Sequence, residues 1–248
     1  ELIMNNAVLA AVLVLGFNSA SHSQSTPLTE YSATYEASAN GLAATGTRSL
    51  TKTGANSYEL SNSLEASLVG QTLAQMNQLS AFELVDDQIL PQNYSYTLTG
   101  VSRASHAISF NWDAALAMSS EDDESWQIPL HSGVMDELSY QTAIRKALIA
   151  DTDIGSTLSF EIIDGDEIEI HEYRRAGNEV LSTPIGDLTT VKLEQVRDAS
   201  DERVTEIWLA TDWNFLLVRM EQLNNSGLRI ELELKSAVLG GVEIEAND

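Results

Sequence analysis

Hydrophobic and polar residues alternate with a period of two along most of the chain. Tyr31, Ala33, Tyr35, Ala37 and Ala39 share one parity, and Asn40-Gly41 follows as a two-residue hairpin turn. Tyr58, Leu60, Leu64, Ala66 and Leu68 form a second face, and Met76, Phe82 and Leu84 a third. After Pro91 come Tyr94, Tyr96 and Leu98, then Ile108, Phe110 and Trp112. The second half repeats the habit: Ile168 and Ile170 alternate with Glu167 and Glu169 after Asp164-Gly165, and Val191 and Leu193 alternate with Lys192 and Glu194. Trp213, Phe215 and Leu217 share a parity opposite Leu216, Val218 and Met220, which predicts a strand through both sets. Leu228, Ile230, Leu232 and Leu234 alternate with Arg229, Glu231, Glu233 and Lys235 behind the turn Asn225-Ser226-Gly227. Successive strand side chains point to opposite faces, so this pattern predicts many half-buried strands.

One segment departs from it. Over Val134 to Ala150, residues Leu138, Ile144, Ala147 and Leu148 fall near one helical stripe. Asp136 and Glu137 sit at the start and Arg145-Lys146 in the C-terminal half, the arrangement that the helix dipole favours. Antiparallel strands with one principal helix (about 134–150) predict a mainly β fold: a strongly curved antiparallel sheet, barrel or half-barrel, with the helix as plug or lid. No composition break follows residue 30, so residues 30–248 are expected to form a single β-rich domain. The acidic run Glu121-Asp122-Asp123-Glu124 reads as a solvated loop.

Composition narrows the class. Of 248 residues 37 are acidic and 13 basic, a formal charge of −24, and a field of that sign repels phosphate backbones and argues against nucleic acid. Cysteine is absent, which removes disulfides, thiolate chemistry, cysteine-based metal sites and a lipid anchor on an N-terminal Cys. The uncharged run Ala7 to Phe17 is 11 residues long, short of the ~20 that span a bilayer, and small polar residues follow at once. This is the order of an export signal, although no Lys or Arg precedes the run. The expectation is a cleaved signal peptide over 1–23, ending after Ser23, then a short linker over 24–29. A soluble periplasmic protein of a Gram-negative bacterium follows, with no stable membrane insertion.

Several weak landmarks occur in order. Phe82-Glu83-Leu84, Leu90-Pro91-Gln92-Asn93-Tyr94-Ser95-Tyr96 and Ile108-Ser109-Phe110-Asn111-Trp112 form one group, and Asp136-Glu137-Leu138-Ser139 with Arg145 a second. Thr183-Pro184-Ile185-Gly186 and Glu206-Ile207-Trp208-Leu209-Ala210 complete the set. In these the chain resembles, over roughly residues 30 to 236, the exported bacterial family known as domain of unknown function 3108. The resemblance implies a periplasmic, mostly antiparallel β protein, and it brings no catalytic residues. At the level of fold it implies a distant similarity to curled-sheet lipoprotein carriers, which hold acyl chains against a concave face.

Catalytic motifs are sparse. There is no G-x-S-x-G elbow, Walker A loop or G-x-G-x-x-G fingerprint. His131 is the most suggestive histidine, with Ser132 beside it and Asp136 and Glu137 following; such a group suits a base or a metal. The same residues suit a polar helix start in which Ser132 or Asp136 caps free N–H groups, and no second histidine stands near. Of the others, His106 is expected at a strand end or turn and His171 on a solvated face. Asp151-x-Asp153-x-Gly155 lacks the further acids of a calcium loop and reads as a helix-terminating turn. Asp136 and Arg145 read as structural anchors of the helix.

The aromatic supply points elsewhere. Tyr94, Tyr96, Phe110, Trp112, Trp208 and Trp213 are the candidates to line an apolar cavity, with core filling as the alternative. The leading expectation is therefore a non-enzymatic binding protein holding a hydrophobic small molecule or lipid, without a cofactor or metal. An envelope assembly factor that holds a protein partner is the second reading, and a hydrolase around His131 the third.

Overall fold

The computed structural model describes residues 27–150, 157–197, 201, 203–224 and 227–245. The expected signal peptide, residues 24–26 of the linker and the Asp151-x-Asp153-x-Gly155 turn lie outside the described residues. The first half of the chain is a run of antiparallel neighbours: β1 (Tyr31–Ala39), β2 (Leu42–Lys52), β3 (Ser57–Leu68), β4 (Gln71–Val85), β5 (Gln88–Gly100), β6 (Ala104–Asn111), β7 (Leu116–Glu121) and β8 (Glu124–Pro129). A short strand β9 (Val134–Met135) and the helix α1 (Ser139–Ala150) follow. Then come β10 (Leu158–Asp164), β11 (Glu167–Thr183), β12 (Gly186–Val196), β13 (Val204–Ala210), β14 (Leu216–Leu223), β15 (Arg229–Leu239) and β16 (Val242–Glu243).

The order in the sheet is not the order in the chain. β1 lies in the middle; β2 to β8 extend from one side of it, and β15 back to β10 from the other, with β9 parallel to β10 at the far edge. The halves meet in the β1–β15 ladder, which runs from Tyr31↔Leu239 to Ala39↔Ile230 with a bulge at Thr34/Tyr35. The chain thus starts in the centre, reaches one edge, crosses through residues 130–133 to the other and returns. The sheet rolls until its edges approach: Ser119 Oγ on β7 donates to the Gly165 carbonyl at the β10–β11 turn (2.6 Å). No ladder joins β8 to β9 among the described residues, so the roll is not closed.

Tight turns make the long meander feasible. Asn40 and Gly41 have φ of 51° and 77°, the left-handed pair whose twist matches the flanking strands. Inside the roll, Tyr31, Tyr35, Tyr58, Phe82, Tyr94 and Tyr173 pack with Leu138, Ile144 and Leu148 of α1 and its approach. The acidic run closes the β7–β8 hairpin, where Asp122 Oδ1 accepts the Ser105 N–H (2.7 Å).

Two local expectations are corrected. The helix begins at Ser139, not Val134, because Val134-Met135 pair with Glu161-Ile162 of β10 and Asp136 then starts the helix. Asp136 Oδ1 accepts the N–H groups of Leu138 (2.8 Å) and Ser139 (2.7 Å), and Ser139 Oγ accepts the Asp136 N–H (3.2 Å), a reciprocal cap. The strand expected through Trp213 begins only at Leu216. A 3₁₀ turn occupies Thr211–Trp213, and Asn214 and Phe215 take φ of 50° and 53°, which breaks the alternation.

Asp136 is fully buried and its other oxygen accepts Ser80 Oγ at 2.7 Å, so one carboxylate ties the helix start to β4. Asp136→Ala removes the cap and the buried hydrogen bonds together. A loss of about 3 kcal/mol in denaturant unfolding is expected, and Asp136→Asn should retain part of it.

Candidate functional site

Side chains do not fill the roll. Beside α1 lies a cavity of about 750 Å³, within the range of small-molecule sites. One wall is mainly apolar, with Leu64 on β3, Met76 on β4, Leu217 and Met220 on β14, and Ile230 and Leu232 on β15, interspersed with Asn62, Ser63, Gln78 and Gln222 from the same strands. The facing wall is polar: Glu121 on β7, Glu137 at the helix start, Asp164 at the end of β10, Glu169 and His171 on β11, and Arg197 after β12.

Glu137 organises the polar wall. Its Oε2 accepts the Tyr94 hydroxyl (2.7 Å), which in turn accepts Gln78 Nε2 (3.1 Å). Its Oε1 lies 3.6 Å from His106 Nδ1. Since Ser119 donates its hydroxyl proton to Gly165, its oxygen accepts from His106 Nε2 (3.2 Å), and the ring is held by both nitrogens. Burial pushes His106 down, but the Glu137 carboxylate more than offsets this, with help from Asp164 and Glu121, and its affinity for a proton is raised. Burial likewise favours a protonated Glu137, yet His106 and the Tyr94 hydroxyl hold it below the usual carboxylate range.

Asp164 behaves differently. It is exposed at the mouth of the cavity, yet the partial shielding of its carboxyl, with Glu137, Glu169 and Glu121 nearby, pushes it up to about 6. His171 is lowered by burial, which outweighs the hydrogen bond of its Nε2 with Glu169 (3.2 Å). His171 Nδ1 and Arg197 Nε are buried without a hydrogen-bond partner among the described residues. In a packed core such atoms cost about 1–3 kcal/mol each; in a cavity wall they are groups for a ligand to meet. The arrangement can bind, orient and hold a proton. The Ser119 hydroxyl is committed to a carbonyl and is no nucleophile.

The aromatic candidates disperse. Tyr96 lines the cavity, and Tyr94 stands behind it on Glu137. Phe110 and Trp112 stack at 5.8 Å in the packed part, with Trp112 Nε1 on the Pro91 carbonyl (2.7 Å). Trp208 donates to Glu179 and lies under Lys192 and Arg219, and Trp213 sits on the 3₁₀ turn against the core. His131, Ser132 and Asp136 are not brought together: exposed His131 pairs with Glu161 (2.7 Å), Ser132 reaches Gln88, and Asp136 is the buried cap.

Sequence reasoning grouped Glu137 with His131, placed His106 and His171 away from any site, and did not single out Asp164 or Glu169. His106 lies within β6 facing inward, not at its end. On β11 the expected sides hold at Glu167 and Ile168, where Ile168 packs against the core, and fail beyond them: Ile170 is exposed while Glu169 and His171 face the cavity. The usable signal was the parity shared by Glu169 and His171 with Tyr173, whose ring belongs inside.

A model of the family described as protein of unknown function (DUF3108) matches residues 30–233. The chain belongs to this family. A search of curated proteins finds no match. Among solved structures the chain is similar to the beta-barrel-like protein of domain of unknown function DUF1849 from Brucella abortus, with a TM-score of 0.56 and 8% identity over 86% of this chain and 99% of that one. At that identity the likeness shows the fold alone: a DUF3108 chain folds as a beta-barrel-like roll. No helix among the described residues is long and apolar enough to cross a membrane.

The raised carboxyl has a sign that can be checked. Between pH 3.8 and about 6 the folded Asp164 keeps a proton that the unfolded chain has released, so this group lowers stability as pH rises through that window. Asp164→Asn removes the penalty. Urea unfolding across pH should show the variant more stable than wild type at pH 7.5, the gain shrinking to nothing near pH 4.

Proposed function

We propose that this DUF3108 protein is a periplasmic, non-enzymatic binding protein that holds a hydrophobic or lipid-like ligand in the cavity of the rolled sheet. The observation that carries the reading is the cavity: about 750 Å³ beside a well-packed core, with apolar side chains from β3, β4, β14 and β15 on one side and charged groups from β7, β10, β11 and the helix start on the other. An interior with two such faces suits an amphipathic molecule better than a purely apolar one, because the polar wall must keep partners when the site fills. The periplasmic part rests on the apolar run Ala7 to Phe17 and the absence of Cys.

A second reading, an envelope assembly factor, draws on the β3–β4 hairpin tip, where Leu68 and Val69 stand exposed. A partner protein would cover such a tip, and a ligand in the cavity would not.

Native mass spectrometry of the chain from Gln24 onward, exported in a bacterial host and purified without detergent, separates the two. A lipid adduct released by organic solvent is expected. Leu64→Trp, which fills the apolar wall, should lose the adduct while the protein stays folded. A clean apo mass with no adduct on adding lipid, together with capture of a protein partner, would favour the second reading.

A further inference from the structure

Beneath the large cavity lies a smaller one of about 90 Å³, and two arginines border it. Arg48 on β2 and Arg145 on α1 are each more than nine-tenths buried. Arg48 donates from Nε to the Tyr31 hydroxyl (2.9 Å) and from Nη1 to Gln141 Oε1 (2.7 Å). Arg145 donates from Nε to the Asn214 carbonyl (3.1 Å), and its guanidinium lies 4.6 Å from the centre of the Tyr31 ring. Every one of these partners is neutral. Arg174, Arg197, Arg203 and Arg219 each pair with a carboxylate, whereas neither Arg48 nor Arg145 does among the described residues.

This is an expensive arrangement. Removing a cation from water costs several kcal/mol even after relaxation, and two cations around one tyrosine repel each other as well. The chain carries 37 acids, and none among the described residues is spent here. Beside the arginines, the Thr205 hydroxyl is more than nine-tenths buried and has no hydrogen-bond partner among the described residues. Gln222 borders the same space. The pocket is therefore rich in donors and lacks an anion.

Its position suggests what brings that anion. Arg48, Tyr140, Gln141, Leu217, Met220 and Gln222 border both cavities, so the small one is the floor of the large one and meets its apolar wall. The opposite wall carries Glu121, Glu137, Asp164 and Glu169 beside Arg197 and Arg203, both of which already pair with Asp201, so acids outnumber unclaimed cations there and an anion is better received at the floor.

We infer that Arg48 and Arg145 receive the oxyanion head, carboxylate or phosphate, of an acyl amphiphile whose chain lies along Leu64, Met76, Ile230 and Leu232. The planar guanidinium groups offer paired N–H donors to such a head, and Thr205 adds a hydroxyl. The inference rests on the binding-protein reading above and specifies its ligand class.

Isothermal titration of the folded chain from Gln24 onward, at constant ionic strength, tests it with hexadecanoate, hexadecyl phosphate, hexadecanol, acetate and inorganic phosphate. At least one anionic amphiphile is expected to bind ten or more times tighter than hexadecanol, and the better of the two identifies the head. Arg48→Gln and Arg145→Gln should bring that affinity down to the level of the alcohol. Thr205→Val, which breaks no hydrogen bond within the protein, should weaken the anionic ligands severalfold and leave hexadecanol unchanged. It keeps the test decisive where an arginine variant does not fold. Equal affinity for alcohol and anions would overturn the head-group site and leave the binding-protein reading standing. Failure of every long-chain ligand would overturn that reading itself. Acetate or inorganic phosphate binding as tightly as the amphiphiles would replace the inference with a site for a free anion.

Discussion

Residues 130–133 join the strand at one edge of the sheet to the strand at the other, and the rest of the architecture answers to that short link. The path from β8 to β9 counts fifteen strands. Laid flat at about 4.8 Å per neighbour, its edges would stand about 67 Å apart. The chain from Pro129 to Val134 reaches at most about 18 Å. The sheet must roll, and a roll of this many strands is too wide for its own side chains to fill: about eight strands make an interior that side chains can pack, and sixteen to eighteen leave a channel. α1 enters directly after the crossover and fills part of the space, and what it does not fill is the cavity. The cavity is thus a consequence of strand number and connectivity before any particular side chain is considered.

How the helix is held decides which part stays open. Asp136 fixes its start to Ser80 on β4, and Arg145 fixes its later turns to Asn214 and Tyr31. Arg48 reaches across from β2 to Gln141 on the helix, so the cations that border the small cavity also seat the plug. Adjacent acids at the helix start take separate tasks, Asp136 in the cap and Glu137 in the cavity wall. Acids concentrated on one wall and Arg48 and Arg145 at the floor give the interior a polarity of its own.

Much of the fold was legible because a period of two is unambiguous where one strand face is packed. β1, with Tyr31, Ala33 and Tyr35 inward, and the hairpin turn Asn40-Gly41 are read directly from the residues. The site was far less legible, and for a physical reason. Pattern reading assumes that the inner face is the apolar one, and a strand bordering a polar cavity reverses that rule, as Glu169, Ile170 and His171 of β11 do. Among the six aromatics expected as cavity lining, Tyr96 lies there, while Phe110 and Trp112 show the converse: they are large enough to pack against each other, and they do so in the core. Nothing in the spacing of Arg48 and Arg145, 97 positions apart, foretells that the β1–β2 hairpin and α1 bring both to Tyr31.

The central claim is that the interior of the roll is kept open for a ligand. The most direct measurement is a crystal structure of the chain from Gln24 onward with an ω-bromo fatty acid, the bromine located by its anomalous scattering. The account predicts a bromine peak inside the roll, beside the wall formed by Leu64, Met76, Ile230 and Leu232, with continuous density leading from it toward Arg48 and Arg145. An interior in which the side chains have closed over the cavity, with bromine found only on the outer surface, would contradict it.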